Sequence, residues 1–371
     1  MSKAEAMLGL AEPLSVVVSK KFKLAFEAKN LVFSDTELTI LHSKQGVPVS
    51  GLDVNISCQH SQRKFQLRYC PALAQKPKGH ETKTEQDGHT TKPDPFANPP
   101  AELLVGAIPK DHLSHILVLN KYPVIYNHFI LATKLNKPQT DILEEDDLSI
   151  TYACLQAWSR GRDSGTQLKT PRLFCFFNSG EHSGASQVHR HLQFVPVEDM
   201  TPGEGTEEWH LLLDRMTTRA HPRLPLFHDP KFPLLHFSTP LEGSLSASSL
   251  YSKYMLLMKA AQAAASNPGG PLSDEESIAI EENGRSLFSY NLAMTTETMA
   301  ICPRSQESTS IPTAGAESSV AINGTVLGGT LMVKDEGEWK ALQEDPSLLD
   351  GMLEAVGFPR GPGSERVATR L

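Results

Sequence analysis

Residues 178–197 read Asn-Ser-Gly-Glu-His-Ser-Gly-Ala-Ser-Gln-Val-His-Arg-His-Leu-Gln-Phe-Val-Pro-Val. At strand period, the second half of this stretch sets His189, His191 and Gln193 on one face and Arg190, Leu192 and Phe194 on the other. Immediately upstream, Ser183, Gly184, Ala185 and Ser186 make a loop of small residues whose backbone N–H groups can approach a phosphate closely. A phosphate cradle feeding a strand with two imidazoles and an amide in line suits nucleophilic chemistry at phosphorus. An imidazole serves as the nucleophile because its neutral form is well populated near pH 7.

Two other readings compete for the histidines. A spacing of i and i+2 on a strand is also common among zinc ligands. A further ligand would have to come from His182 or His210, neither at a diagnostic spacing, and a glycine-serine loop has no use in a zinc site. No metal ligand is therefore assigned. Strand histidines satisfied by backbone carbonyls are the other alternative.

Composition sets the outer limits. The chain has 371 residues, 39% hydrophobic and 21% charged, which suits an ordinary globular protein of one large domain or two smaller ones. A net charge of −8 argues against bulk nucleic-acid binding but leaves room for a local basic pocket. The five cysteines (Cys58, Cys70, Cys154, Cys175 and Cys302) are scattered without a C-x-x-C pair and read as reduced thiols. Residues 1–11 lack a basic region followed by an apolar block, and no apolar run approaches a membrane span. The expected setting is cytoplasmic, or nuclear as well. The expected partners are small nucleotides and phosphate, with no nucleic acid and no membrane; protein partners are not readable.

Along the chain, helices are expected at 13–33, 139–160, 207–218 and 250–265, the last with Leu250, Tyr254, Leu257, Met258 and Ala261 at helical spacing. Short strands are expected at 53–58 and 64–69. Residues 73–100, rich in Lys, Pro, Thr, Gly and Glu, read as a long surface loop. Apolar runs at 115–120 and 128–134 read as an antiparallel pair. A strand at 172–178 and the strand ending at 197 meet at the glycine loop and place it at a sheet end. Residues 201–206 read as a Pro/Gly linker, 289–303 as a hairpin, 304–317 as loop, 321–333 as glycine-rich strand, and 357–371 as a polar tail.

These motifs resemble a known group. The pattern N-x-G-x-x-x-G-x-S followed by H-x-H-x-Q is similar to the transferase branch of the histidine-triad superfamily. In detail, His-Arg-His-Leu-Gln-Phe most resembles the fungal-type diadenosine tetraphosphate phosphorylases, also called ATP adenylyltransferases. Hexose-1-phosphate uridylyltransferases carry a related motif, but Val188 stands where they have proline. The likeness extends to Lys44 in a K-x-G-x-P turn, to Asp94-Pro95-Phe96, to the 117–134 hairpin, to Ser289-Tyr290-Asn291, to Pro303-Arg304-Ser305 and to residues 329–334.

The resemblance implies an α+β, histidine-triad-like fold with a mainly antiparallel sheet flanked by helices and elaborated by a C-terminal segment. It divides the chain into a core region at 1–200 and an adenylyltransferase region at 201–371 packing on it. It implies reversible phosphorolysis of diadenosine tetraphosphate through a covalent adenylyl-histidine, with ADP formation from adenosine phosphosulfate as a further activity. By the same likeness His191 is the nucleophile and His189 helps hold the phosphate or the neighbouring backbone; from its amide chemistry, Gln193 is expected to stabilise charge on the α-phosphoryl group. Substrate contacts are expected from Lys44, Asn178, Ser183, Gly184, Ala185, Ser186, Asn291 and Lys334. No tightly bound cofactor or metal is implied, although Mg²⁺ can accompany the polyphosphate. Gln193 stands where the hydrolases carry a third histidine, and an amide donates a hydrogen bond but delivers no proton. The alternatives are a sugar-nucleotide uridylyltransferase and a nucleotide-binding sensor that turns nothing over.

Overall fold

The structure is a computed structural model that describes residues 2–42, 63–75, 93–160, 170–201, 209–221, 224–229, 231–270, 284–313 and 317–360. Lys44, the strand expected at 53–58, most of the 73–100 loop and residues 202–206 lie outside these residues.

Three strands come from sequences that alternate around the glycine loop or pair beside it. They are β5 (Phe129–Thr133), β6 (Leu173–Ser179) and β7 (His191–Pro196). Together with β3 (Leu104–Ile108), β4 (His115–Leu119), β8 (Phe237–Pro240), β9 (Ser289–Met294) and β10 (Thr298–Arg304) they form one sheet. Among the described residues its order is β3-β4-β5-β7-β6-β9-β10-β8, and every neighbouring pair is antiparallel. The architecture is α+β. The sheet runs across residue 200, with five strands from before that point and three from after it.

Strand alternation gives the sheet two different coats. Leu192 and Phe194 of β7 join the first apolar cluster, with Phe194 stacked on Phe129 at 4.9 Å between ring centroids. Helices α1 (Lys3–Leu8), α2 (Leu14–Glu27), α3 (Glu145–Arg160) and α4 (Ala247–Ser266) supply the rest of that layer. The expected stripe Leu250, Tyr254, Leu257, Met258 and Ala261 is buried there, each large apolar side chain contributing roughly 1.5–3 kcal/mol. On the other face, Val195 joins Phe174, Phe176, Ala293 and Cys302. That face is covered by α5 (Glu336–Glu344), α6 (Ser347–Val356) and a small sheet of β1 (Glu37–His42), β2 (Lys64–Tyr69) and β13 (Thr330–Val333). β13 runs parallel to β2, so the two halves of the sequence share this sheet too.

Several local expectations change. The helix beginning at 13 stops at Glu27 rather than 33. Where a helix was expected at 207–218, the described part is a 3₁₀ turn at Leu212–Arg215. Residues 304–317 are not all loop, because β11 (Ser308–Pro312) pairs with β12 (Glu317–Ala321). Its pattern hid it, since Ile311 is the one large apolar residue in Ser-Thr-Ser-Ile-Pro.

Candidate active site

The site is built at the sheet end where β6 leaves and β7 returns. The register that sets Phe176 opposite Gln193, carried two residues further, sets Asn178 opposite His191. The two backbones are joined there by a side chain. Gln139 Oε1 accepts from the His191 N–H at 2.7 Å, and its Nε2 donates to the carbonyls of Asn178 (2.7 Å) and His191 (3.2 Å).

The His191 ring is fixed from its other side. Nδ1 lies 2.8 Å from the His189 carbonyl, which can only accept, so Nδ1 carries the proton and Nε2 holds the lone pair in the neutral ring. Phe96 packs against this ring, with centroids 5.2 Å apart. His189 is 2% exposed, and both its nitrogens meet protein groups. Its Nε2–H donates to the Thr133 carbonyl at 2.7 Å, and Nδ1 meets the Asp94 carboxylate at 2.7 Å. Asp94 is itself set by a turn in which its Oδ1 accepts from the Phe96 N–H at 2.9 Å.

Two amides share the His191 face of the sheet. The Gln193 carbonyl lies 3.1 Å from His128 Nε2. The Asn178 carbonyl accepts from Asn291 Nδ2 and from the Gly324 N–H, both at 2.9 Å. Among the described residues neither Gln193 Nε2 nor Asn178 Nδ2 meets an acceptor. Both amides therefore keep a donor available. Behind Asn291 lies Arg304, 1% exposed, whose Nη1 donates to Asn291 Oδ1 at 2.6 Å. Its remaining N–H groups reach the carbonyls of Ile322, Gln306, Glu307 and Val356. Burial lowers the Arg304 pKa from its ordinary value, and among the described residues no carboxylate lies within ion-pair distance of it.

The glycine loop is pinned rather than loose. Ser183 is fully buried, its hydroxyl donates to the Gly180 carbonyl at 2.7 Å, and its own carbonyl accepts from Asn291 at 2.8 Å. Gly184 sits at φ +78°, and a Cβ there would lie 2.7 Å from the Asn323 Cβ, so both conformation and space demand glycine. Ala185 and Ser186 complete the turn, half-buried. Lys334 stands exposed after the end of β13, and among the described residues no contact joins its ammonium to the Asn178 cluster. Burial pushes the Cys70 and Cys302 thiols up to about 12 and raises those of Cys154 and Cys175 as well, which leaves no thiolate nucleophile among them. Among the described residues no group of three or more His, Cys, Asp or Glu side chains is gathered to hold a metal ion, and no helix is long and apolar enough to cross a membrane.

Sequence reasoning missed Gln139 and Thr133, and it noticed Asp94, Phe96, Asn120 and His128 only as part of a resemblance. A lone Gln or Asn carries no periodic signal, and Asp94 lies 95 residues from the ring it holds.

The Ap4A phosphorylase N-terminal domain matches residues 52–206, and the ATP adenylyltransferase C-terminal domain matches residues 230–359. Diadenosine 5',5'''-P1,P4-tetraphosphate phosphorylase 2 of Saccharomyces cerevisiae is 31% identical over 314 residues, which cover 81% of this chain and 86% of the relative. Protein APA1 of the same yeast is 27% identical over 370 residues, covering 96% and 98%. The crystal structure of yeast Ap4A phosphorylase Apa2 in complex with Ap4A superposes with a TM-score of 0.70 at 26% identity, covering 95% of this chain and 99% of that one. The Apa2 complex with AMP gives a TM-score of 0.68 at 25% identity, with the same coverage. The chain belongs to the Ap4A phosphorylase (ATP adenylyltransferase) family.

Proposed function

We propose that this chain is a nucleotidyltransferase that splits diadenosine tetraphosphate (Ap4A) with inorganic phosphate into ADP and ATP, reversibly, through an adenylyl group carried on His191. The observation that carries the reading is the direction of the His191 ring. With Nδ1–H held by the His189 carbonyl, the Nε2 lone pair is the reactive one, and it shares its face with two amide donors.

In the first step Nε2 forms a bond to the α-phosphorus, and the bond from that phosphorus to the bridging oxygen breaks. ATP leaves as an anion that needs no proton, which suits an amide rather than an imidazole at position 193. The Gln193 and Asn178 N–H groups and the backbone of Ser183–Ser186 stabilise charge on the phosphoryl oxygens as it develops. In the second step a phosphate oxygen attacks the same phosphorus, the Nε2–P bond breaks, and ADP forms. His189 acts by holding the strand carbonyl that orients His191. Lys44 is retained as a phosphate contact on the strength of its K-x-G-x-P turn, and Asn291 acts through Asn178. The proposed unit of function spans both the 1–200 and the 201–371 regions, since Asn291 and Arg304 reach the site from the second.

Intact-mass spectrometry after mixing with Ap4A in the absence of phosphate tests this. The expected result is one adenylyl adduct, absent from His191→Ala and discharged as ADP when phosphate is added. A uridylyl adduct from a sugar nucleotide in place of it would support hexose-1-phosphate uridylyl transfer. No adduct from either donor would leave a nucleotide-binding protein.

A further inference from the structure

The hairpin that joins β4 to β5 contains a chain of hydrogen bonds whose polarity can be followed from one end to the other. It begins at a group with no choice. The backbone N–H of Tyr122 donates to Asn120 Oδ1 at 2.9 Å, and a backbone N–H can only donate. The Asn120 amide is therefore fixed with its Nδ2 turned towards His128. Asn120 Nδ2 lies 3.1 Å from His128 Nδ1 and 3.4 Å from Nε2. The shorter contact makes Nδ1 an acceptor, which puts the ring proton on Nε2. Nε2 lies 3.1 Å from Gln193 Oε1, so the imidazole donates and the glutamine accepts through oxygen. An amide that accepts with its oxygen on one side turns its NH₂ to the other.

We propose that His128 is a positioning residue that sets the direction of the Gln193 amide, so that a hydrogen-bond donor and not a carbonyl oxygen faces the phosphoryl group. This rests on the proposed function, in which Gln193 meets the α-phosphoryl oxygens. The sense matters because an amide turned by 180° presents a lone pair to an anion, replacing attraction by repulsion. Without His128, the two orientations of Gln193 differ little in energy. A protein can carry the correct glutamine and still offer it the wrong way round.

The test is a double-mutant cycle in which adduct formation and phosphorolysis of Ap4A are measured together. The wild type is assayed first for the adenylyl adduct, and its absence would overturn the underlying function, not the relay alone. With the adduct present, His128→Ala lowers kcat about tenfold or more with a much smaller change in KM, since the donor acts where charge develops. His128→Ala/Gln193→Ala falls no further than Gln193→Ala, because the histidine has nothing left to orient. His128→Gln recovers most of the loss, since its amide can accept from Asn120 and donate to Gln193 with the same polarity. Additive losses in the double variant, or a His128→Gln no better than His128→Ala at equal thermal stability, would overturn the proposal. Should His128→Ala fail to fold, His128→Gln is compared with wild type in the presence and absence of Gln193→Ala. Near-wild-type kcat for His128→Gln then supports the relay, and a loss that persists unchanged in the Gln193→Ala background overturns it.

Discussion

Arg190 and His191 are neighbours in sequence and point to opposite sides of one sheet, and the two sides treat hydrogen-bonding capacity in opposite ways. On the helical side, Arg190 is 2% exposed and meets Asp147 at 2.7 Å and Glu144 at 3.0 Å. Asp147 also takes a hydrogen bond from His115 at 2.9 Å and from the Glu144 N–H at 2.8 Å. Arg190 Nη1 and both Asp147 oxygens are thus partnered within the protein, as buried charge requires, while Arg190 Nε is left without a partner among the described residues. On the other side, Gln193 and Asn178 have their carbonyls engaged, while their amide nitrogens meet no acceptor among the described residues. A donor can be held ready for a ligand only if the strand that carries it cannot shift to satisfy it. The ion cluster anchors that strand from behind, at the residue between the two histidines.

If that division of labour is right, damage to one side should be read in stability and damage to the other in rate. The largest effect is expected from Asp147→Ala. It strips a buried arginine and His115 of their shared partner and should cost about 3–5 kcal/mol of folding stability. Denaturant melts measure this, and a loss below about 1 kcal/mol would mean that the cluster does not anchor the strand. A smaller effect of the other kind is expected from Asp94→Ala. With Nδ1 of His189 released, the carbonyl that holds His191 is less firmly set, and kcat should fall about tenfold, equivalent to about 1.4 kcal/mol. The melting midpoint should move little by comparison. An Asp94→Ala enzyme with full activity would separate His189 from the orientation of His191.

The smallest effect concerns acid. Burial alone would raise the pKa of Asp147, but the His115 hydrogen bond and the Arg190 charge outweigh it and hold the carboxyl below its ordinary value. A carboxyl depressed in the folded state contributes stability that is fully present above its unfolded pKa, about 3.9, and is lost as the pH falls through the lower folded value. Stability should thus decline on the acid side of about pH 4, and Asp147→Asn should flatten that limb while leaving the neutral region with the steady deficit of the lost charge pair. An unchanged acid limb would place the responsible carboxyl elsewhere.

How far the sequence could be read follows the same two-sided pattern. The His189–His191–Gln193 face and the Ser183–Ser186 turn were visible because strand period and small residues are local signals. The antiparallel pair at 115–134 and the α4 stripe were visible for the same reason. Arg190 was legible only as a side chain pointing away, and its carboxylate partners stand 43 and 46 residues earlier at no repeating interval. Gln139 was illegible, and Asn120 and His128 were legible only as an N-K-x-P-x…H resemblance, because their meaning lies in which atom of each side chain faces which neighbour, and that is decided only when distant segments meet. Arg304 reads as a loop arginine in sequence, yet β10 ends on it and the fold turns it inward.

That arginine has a consequence for how the protein comes into being. Arg304 gathers Asn291, Ile322, Gln306, Glu307 and Val356 around a single guanidinium. The amide of Asn178, fixed through Asn291, is therefore in its final attitude only once residue 356 has joined the cluster. A chain still emerging from the ribosome holds both histidines long before then. The attitude of the Asn178 amide is thus settled later in synthesis than the strands that carry the two histidines.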